Sequence, residues 1–120
     1  MTASQAAQRV TVQTYTQVSD GHKGFIKTPV DVLPRRRAGQ VTPLAGRDLE
    51  RAMAIDPRIS HEVTLFYWRA YRTDLKGGRA QLVYHPTSAS ADDRVLEIVT
   101  PAIDVDERHE AVRVLCREDA

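Results

Sequence analysis

Ile59-Ser60-His61-Glu62-Val63-Thr64-Leu65-Phe66-Tyr67-Trp68-Arg69-Ala70-Tyr71 is the stretch whose pattern decides the fold. Successive side chains of an extended chain point to opposite faces, so Val63, Leu65 and Tyr67 share one side. Glu62, Thr64, Phe66 and Trp68 share the other. The alternation predicts a half-buried strand from Ile59 to Tyr71, the longest in the chain.

Upstream, Arg9 to Tyr15 alternates in the same way, with Val10 and Val12 against Thr11 and Gln13. Asp20-Gly21 and Gly24 supply turn chemistry. Residues 25–33 can return as a strand, which Pro29 confines to an edge or an irregular path. Pro34 to Gly39 reads as a mobile loop, because Arg35, Arg36 and Arg37 repel one another, and a short strand follows from Gln40 to Pro43. Gly46 to Ile55 is the one convincing helix. Leu49, Ala52 and Met53 form an apolar stripe, Asp48 and Glu50 suit the positive end of the helix dipole, and Pro57 stops the run.

Downstream, Lys76-Gly77-Gly78 reads as a turn and Gln81 to His85 as a short strand. Pro86 to Asp93 is a polar loop and Arg94 to Thr100 a further strand. Pro101 to Arg108 makes an acidic connection before a last strand from Glu110 to Arg117. Residues 1–8 read as a flexible tail. Residues 9–118 form a single domain with mobile loops near 16–39 and 86–93. Short strands with one helix predict a mainly β fold: a small antiparallel β-barrel or sandwich, one short α-helix near 46–55, and long flexible loops.

With 120 residues there is room for one core. Seventeen basic and 16 acidic residues give a net charge of +1, which argues against a surface devoted wholly to nucleic acid. A local basic patch stays open. No apolar run approaches the roughly 20 residues of a membrane-spanning helix. The polar, alanine-rich start lacks the order of a signal peptide, so synthesis in a cytoplasm is expected.

The residues do not recommend an enzyme. No P-loop, G-x-G-x-x-G or G-x-S-x-G is present. His22, His61, His85 and His109 fall in no common ligand spacing. Cys116 is the single cysteine, and on an extended strand it lies too far from His109 to form a dyad. It reads instead as a small hydrophobe. Asp104, Asp106 and Glu107 could attract a hard cation, but the segment lacks the glycine of a calcium loop. Capping of a helical turn, with Arg108 beside it, is the better reading. No cofactor and no metal is expected.

Two segments are candidate contact surfaces. If Val63 and Leu65 face the interior, Phe66 and Trp68 point outward beside Arg69 and Tyr71. Aromatics and arginine are the residues of interface cores. The same strand could instead stack single-stranded bases, or be covered by the helix and belong to the core. Arg35, Arg36 and Arg37 could meet about three phosphates, or an acidic neighbour.

The order of motifs resembles the phage head–tail joining, or head-closure, family. The resemblance runs through Arg9-Val10-Thr11-Val12-Gln13, then Val41-Thr42-Pro43-Leu44-Ala45-Gly46-Arg47-Asp48-Leu49. It continues through His61-Glu62-Val63-Thr64-Leu65 and Arg79-Ala80-Gln81-Leu82-Val83-Tyr84. It ends with Asp104-Val105-Asp106-Glu107-Arg108 and Val114-Leu115-Cys116-Arg117-Glu118. Two features depart from the family: Arg37-Ala38-Gly39 stands where a tryptophan is common, and Pro86 to Asp93 lengthens a hairpin. The resemblance implies a β-barrel subunit of a tailed-phage virion, made in the bacterial host, that forms a sixfold or twelvefold ring. The ring would sit below the portal adaptor protein and above the tail terminator or tail proteins, with double-stranded DNA in its channel. Phe66, Trp68, Arg69 and Tyr71 would then be subunit contacts. Arg35 to Arg37 would face the adaptor or the DNA channel. A tail-terminator ring, or an oligonucleotide-binding barrel, are the alternative readings.

Overall fold

In a computed structural model, residues 8–19, 21, 25–32, 36–76 and 80–118 are described. The elements in chain order are β1 (Gln8–Ser19), β2 (Phe25–Asp31), β3 (Arg37–Pro43), α1 (Gly46–Ile55), β4 (His61–Phe66), α2 (Tyr71–Asp74), β5 (Ala80–His85), β6 (Arg94–Ile98), β7 (Ile103–Asp104) and β8 (Ala111–Glu118). Two short 3-10 turns, Ser90–Asp92 and Val105–Glu107, lie within connections.

Six strands close an antiparallel barrel in the order β1-β3-β4-β8-β6-β5, with β5 pairing back to β1. β2 and β7 are additions, on β1 and β8 respectively. Val10, Val12, Val63, Leu65, Leu82, Leu96, Val112, Val114 and Cys116 all lie inside, buried. They are the inward halves of the alternating strands. Each buried aliphatic contributes about 1.5–3 kcal/mol through lost apolar exposure.

β1, not the 59–71 segment, is the longest strand. Its first half is a barrel stave, paired to β5 from Arg9↔His85 to Thr14↔Ala80. Its second half pairs with β2, from Gln13↔Asp31 to Ser19↔Phe25. Val32 donates its N–H to the Val12 carbonyl at 2.8 Å. By alternation, Pro29 opposite Tyr15 then takes a non-hydrogen-bonded position with its ring nitrogen turned outward. β2 is therefore an edge strand, and the proline interrupts the row of donors on which another strand could build. A chain of side-chain bonds ties this hairpin to the barrel wall. Tyr15 Oη donates to Gln81 Oε1 (2.6 Å), Gln81 Nε2 to Gln13 Oε1 (2.8 Å), and Gln13 Nε2 to Asp31 Oδ1 (2.8 Å).

β3 begins at Arg37, earlier than the alternation in Gln40 to Pro43 indicates, so Arg37 to Gly39 belong to a strand. β2 and β3 follow each other along one edge of β1. Gly39 lets β3 lie close against β4. A β-carbon there would lie 2.5 Å from Leu65 Cδ2 and 2.9 Å from the Thr64 carbonyl oxygen. The return strand stops at Asp31, β6 at Ile98, and the last strand spans Ala111–Glu118. Residues 1–7 of the expected tail, most of the Asp20 to Gly24 turn, and Gly77-Gly78 lie outside the described residues.

α1 fills the β3–β4 connection with the predicted boundaries. It starts at Gly46, whose φ of +57° suits glycine, and Asp56 ends it by donating its N–H to the Ala52 carbonyl at 3.0 Å. Only Ala52 of α1 is buried. Among the described residues no helix is long and apolar enough to cross a membrane.

Candidate functional site

The barrel has two unlike ends. Where β3 meets β4 and β5 meets β6, the connections are α1 and residues 86–93. At the other end lie the β1–β2 hairpin, the β4–β5 connection with α2, and the β6–β8 connection. That second end carries the candidate residues.

The expected strand stops at Phe66. Tyr67 donates its N–H to the Glu110 carbonyl (3.1 Å), and the chain then turns, with the Tyr71 N–H on the Trp68 carbonyl (3.2 Å) and the Leu75 N–H on the Tyr71 carbonyl (2.9 Å). This corrects the face assignment. Phe66 keeps the outward direction and is 41% exposed, while Trp68 folds over the barrel end and packs on the core. Tyr71 and Leu75, 5% and 1% exposed, plug that end. The helix α1 does not cover this segment, since it sits at the opposite end. Trp68, Tyr71 and Leu75 are spaced i, i+3, i+7. That helical period was the available sign that the strand had ended.

The arginine segment and the aromatic segment meet here. The Arg37 guanidinium carbon lies 4.1 Å from the centroid of the Trp68 ring. Trp68 Nε1 donates to Asp74 Oδ2 at 2.8 Å. Burial lowers the Arg37 pKa from its ordinary value and the Asp74 charge opposes that shift. A guanidinium stays charged under both influences. Arg36, Arg69 and Arg72 are exposed at the same barrel end, and Arg72 Nε donates to Tyr71 Oη at 3.0 Å. Arg35 lies outside the described residues.

Sequence reasoning did not single out Tyr67, Asp74 or an aromatic role for His109. Tyr67 lies against Tyr71 (5.6 Å between centroids) and His109 (4.7 Å). Glu107 and His109 hold φ of 54° and 56°, a costly region for residues with side chains. The Asp104 carboxylate accepts the His109 N–H at 3.0 and 3.2 Å. Asp104 thus makes no capping bond to the 3-10 turn, contrary to expectation, and instead fastens His109 beyond it. The Asp106 side chain lies outside the description. Among the described residues no three metal-ligating side chains gather.

Beneath this end a groove of about 1300 Å³ runs between α2 and the β6–β7 segment, with Tyr15, Arg72, Lys76, Glu97, Asp104 and Arg117 on its walls. Its cations and carboxylates balance, so it concentrates neither sign. On the outer wall of β1, Thr11 Oγ1 lies 2.7 Å from His85 Nε2, and His85 Nδ1 lies 2.9 Å from Asp93 Oδ1. Thr11 is 3% exposed. The buried hydroxyl is out of a substrate's reach, and the trio pins the 86–93 connection to β1. Cys116 is fully buried and far along β8 from His109.

The model of a family described as phage head completion protein matches residues 1–119. Among solved structures, the chain is similar to protein SF1141 from Shigella flexneri 2a, a solution structure. The TM-score is 0.64 at 21% identity, covering 100% of this chain and 98% of that one. That likeness supports the fold. Among curated proteins there is no match.

Proposed function

The chain belongs to the phage head completion protein family, and from that membership we propose that it works as a ring under the portal and its adaptor. The role of the family is structural, in closing the phage head, and places its members in the virion. In this reading the ring seals the DNA-filled head and offers the surface on which the tail docks, with no chemistry of its own. Sixfold closure is the first expectation and twelvefold the second.

The observation that carries the finer reading is the stacked pair Arg37–Trp68 on the rim of a rigid barrel. A cation held against a ring has already lost much of its freedom, so little more is lost when a partner docks. Arg36 and Arg69, exposed and next in sequence to the two members of the pair, add cations at that spot. A local cationic and aromatic spot suits an acidic surface of the adaptor above the ring, or the phosphates of DNA in its channel. The tail terminator or tail proteins would meet the opposite end, where α1 lies.

The test uses heads assembled without this protein and complemented with purified chain. Arg36→Ser with Arg37→Ser is expected to reduce both DNA retention and tail attachment. Unchanged attachment removes the rim from the contact. Salt weakens both kinds of contact, so the partner is read from binding: loss of binding to short duplex DNA with adaptor binding kept would assign the rim to DNA, and the converse to the adaptor.

A further inference from the structure

Asp74 is the last residue of α2, where its N–H donates to the Ala70 carbonyl at 3.0 Å. Tyr71 and Leu75 flank it in sequence and anchor that turn in the barrel end. The Asp74 carboxylate therefore has a fixed place, and its Oδ2 accepts the Trp68 indole N–H at 2.8 Å. An indole has a single donor. Holding that donor on a carboxylate selects one of the two broad orientations of the ring about its terminal torsion. The orientation matters because the Arg37 guanidinium lies over the ring, 4.1 Å from its centroid.

The same carboxylate has a second effect. Burial disfavours the Arg37 charge and the charge of Asp74 supports it, so the two groups act on each other through space. By the same field Asp74 weakens what Arg36, Arg37 and Arg69 present to a polyanion. Duplex DNA gains affinity from the number of phosphates neutralised, and three arginines beside a resident carboxylate suit that poorly. Nor is Trp68 a platform for stacked bases, with Arg37 over it and the barrel core against it. A guanidinium presented on a ring, with its own charge tempered, suits a single acidic side chain of a protein surface.

We infer that Asp74 sets the specificity of the rim: it positions Trp68, and through that ring Arg37, for a carboxylate of a protein partner, while its charge disfavours DNA. Such discrimination by a repulsive group is a common device of specific interfaces. The inference rests on the rim contact proposed above and names the class of its partner.

Two substitutions separate the two effects. Asp74→Asn keeps an acceptor for the indole and removes the charge, whereas Asp74→Ala removes both. Trp68 is the only tryptophan, so its emission reports this ring alone. Asp74→Asn should keep the emission maximum and tighten binding to a labelled short duplex about three- to tenfold at low salt, read by anisotropy. Adding Arg37→Ser should shrink that gain. Asp74→Ala should shift the emission to the red and lower attachment to heads assembled without this protein. Duplex binding equal in wild type and Asp74→Asn, or a gain that survives Arg37→Ser in full, would overturn the charge effect. Emission unmoved by Asp74→Ala would overturn the positioning. Should that variant fail to fold, the indole proton decides the same point by NMR: its resonance should move on Asp74→Asn, and an unmoved resonance overturns the bond. Wild-type chain that binds the duplex as tightly as it binds heads would assign the rim to DNA and overturn the partner class. Full attachment of the Arg36→Ser with Arg37→Ser chain is the distinct failure of the rim contact. It removes the partner class, while the emission result still reports how Asp74 holds Trp68.

Discussion

Arg37 lies with its guanidinium carbon 4.1 Å from the centroid of the Trp68 ring, and the indole N–H of that ring is held by Asp74 at 2.8 Å. The ring therefore works on two sides at once, as a platform for a cation and as a lid on the core. Phe66, two residues earlier, has neither task. Its side chain sits on the outer wall.

The first prediction separates these aromatics by stability. Phe66→Ala should cost about 1 kcal/mol or less, as an outward substitution. Trp68→Ala should cost about 3 kcal/mol, and Tyr71→Ala about 3–5 kcal/mol, as losses of packed aromatic volume. Denaturant titration followed by far-UV circular dichroism measures all three. A Phe66→Ala variant as unstable as Tyr71→Ala would show that Phe66 is core.

The physical reason these residues were only partly legible is visible in the same segment. Periodicity of two held from His61 to Phe66, where each side chain meets a cross-strand partner, and the alternation assigned those faces correctly. Beyond Phe66 the pattern still alternates by accident, because Tyr67, Trp68 and Tyr71 are all large. Tyr67 N–H to the Glu110 carbonyl still continues the β4–β8 register, and what ends the strand is the turn beyond it, where the Tyr71 N–H bonds the Trp68 carbonyl and the Leu75 N–H the Tyr71 carbonyl. The i, i+3, i+7 spacing of Trp68, Tyr71 and Leu75 is its only local trace, and the overlapping alternation hides it. α1 was fully legible, since its glycine start and its proline stop are local. The meeting of Arg37 with Trp68 depends on barrel closure, which links strands in an order no local signal encodes.

A second prediction concerns Gly39, which reads as loop in the sequence and is a buried strand position in the fold. Gly39→Ala would place a methyl group 2.9 Å from the Thr64 carbonyl oxygen, a backbone atom, and 2.5 Å from Leu65 Cδ2. Backbone cannot move aside as a side-chain tip can. The expected loss is about 1–3 kcal/mol, the range for overpacking, read from the denaturation midpoint. A neutral or stabilised variant would show that β3 and β4 are further apart than described.

A third prediction follows from the turn after α1. Arg58 donates to the Asp56 carboxylate through Nε at 3.0 Å, through Nη2 at 2.7 Å and through its backbone N–H at 2.9 Å. Those bonds hold the carboxyl pKa at about 2 against an ordinary 3.8. A depressed carboxyl pKa stabilises the fold above the unfolded value and loses that contribution as pH falls through the folded one. Carbon-detected NMR should show the Asp56 carboxyl titrating near the low value, and Arg58→Ala should return it towards 3.8. A midpoint unmoved by that substitution would assign the shift to other groups.

The fourth prediction is the inertness of Cys116. The thiol is 0% exposed between the partners of β8, and burial pushes its pKa from 9.0 up to about 12. Only the thiolate attacks a disulfide reagent, so both access and ionisation are withheld in the folded chain. With Ellman's reagent at pH 8 the native protein should react on the time scale of its unfolding, and in denaturant at once. The linkage has a definite sign. Between pH 9 and about 12 the unfolded chain releases this proton while the folded chain keeps it, so stability falls as pH rises through that window. Cys116→Ala should flatten that part of the fall while costing stability at neutral pH through the small cavity it leaves. A native thiol that reacts within seconds at pH 8 would place Cys116 at the surface, and β8 could not then pair with β4 in the register that sets His61 beside Cys116.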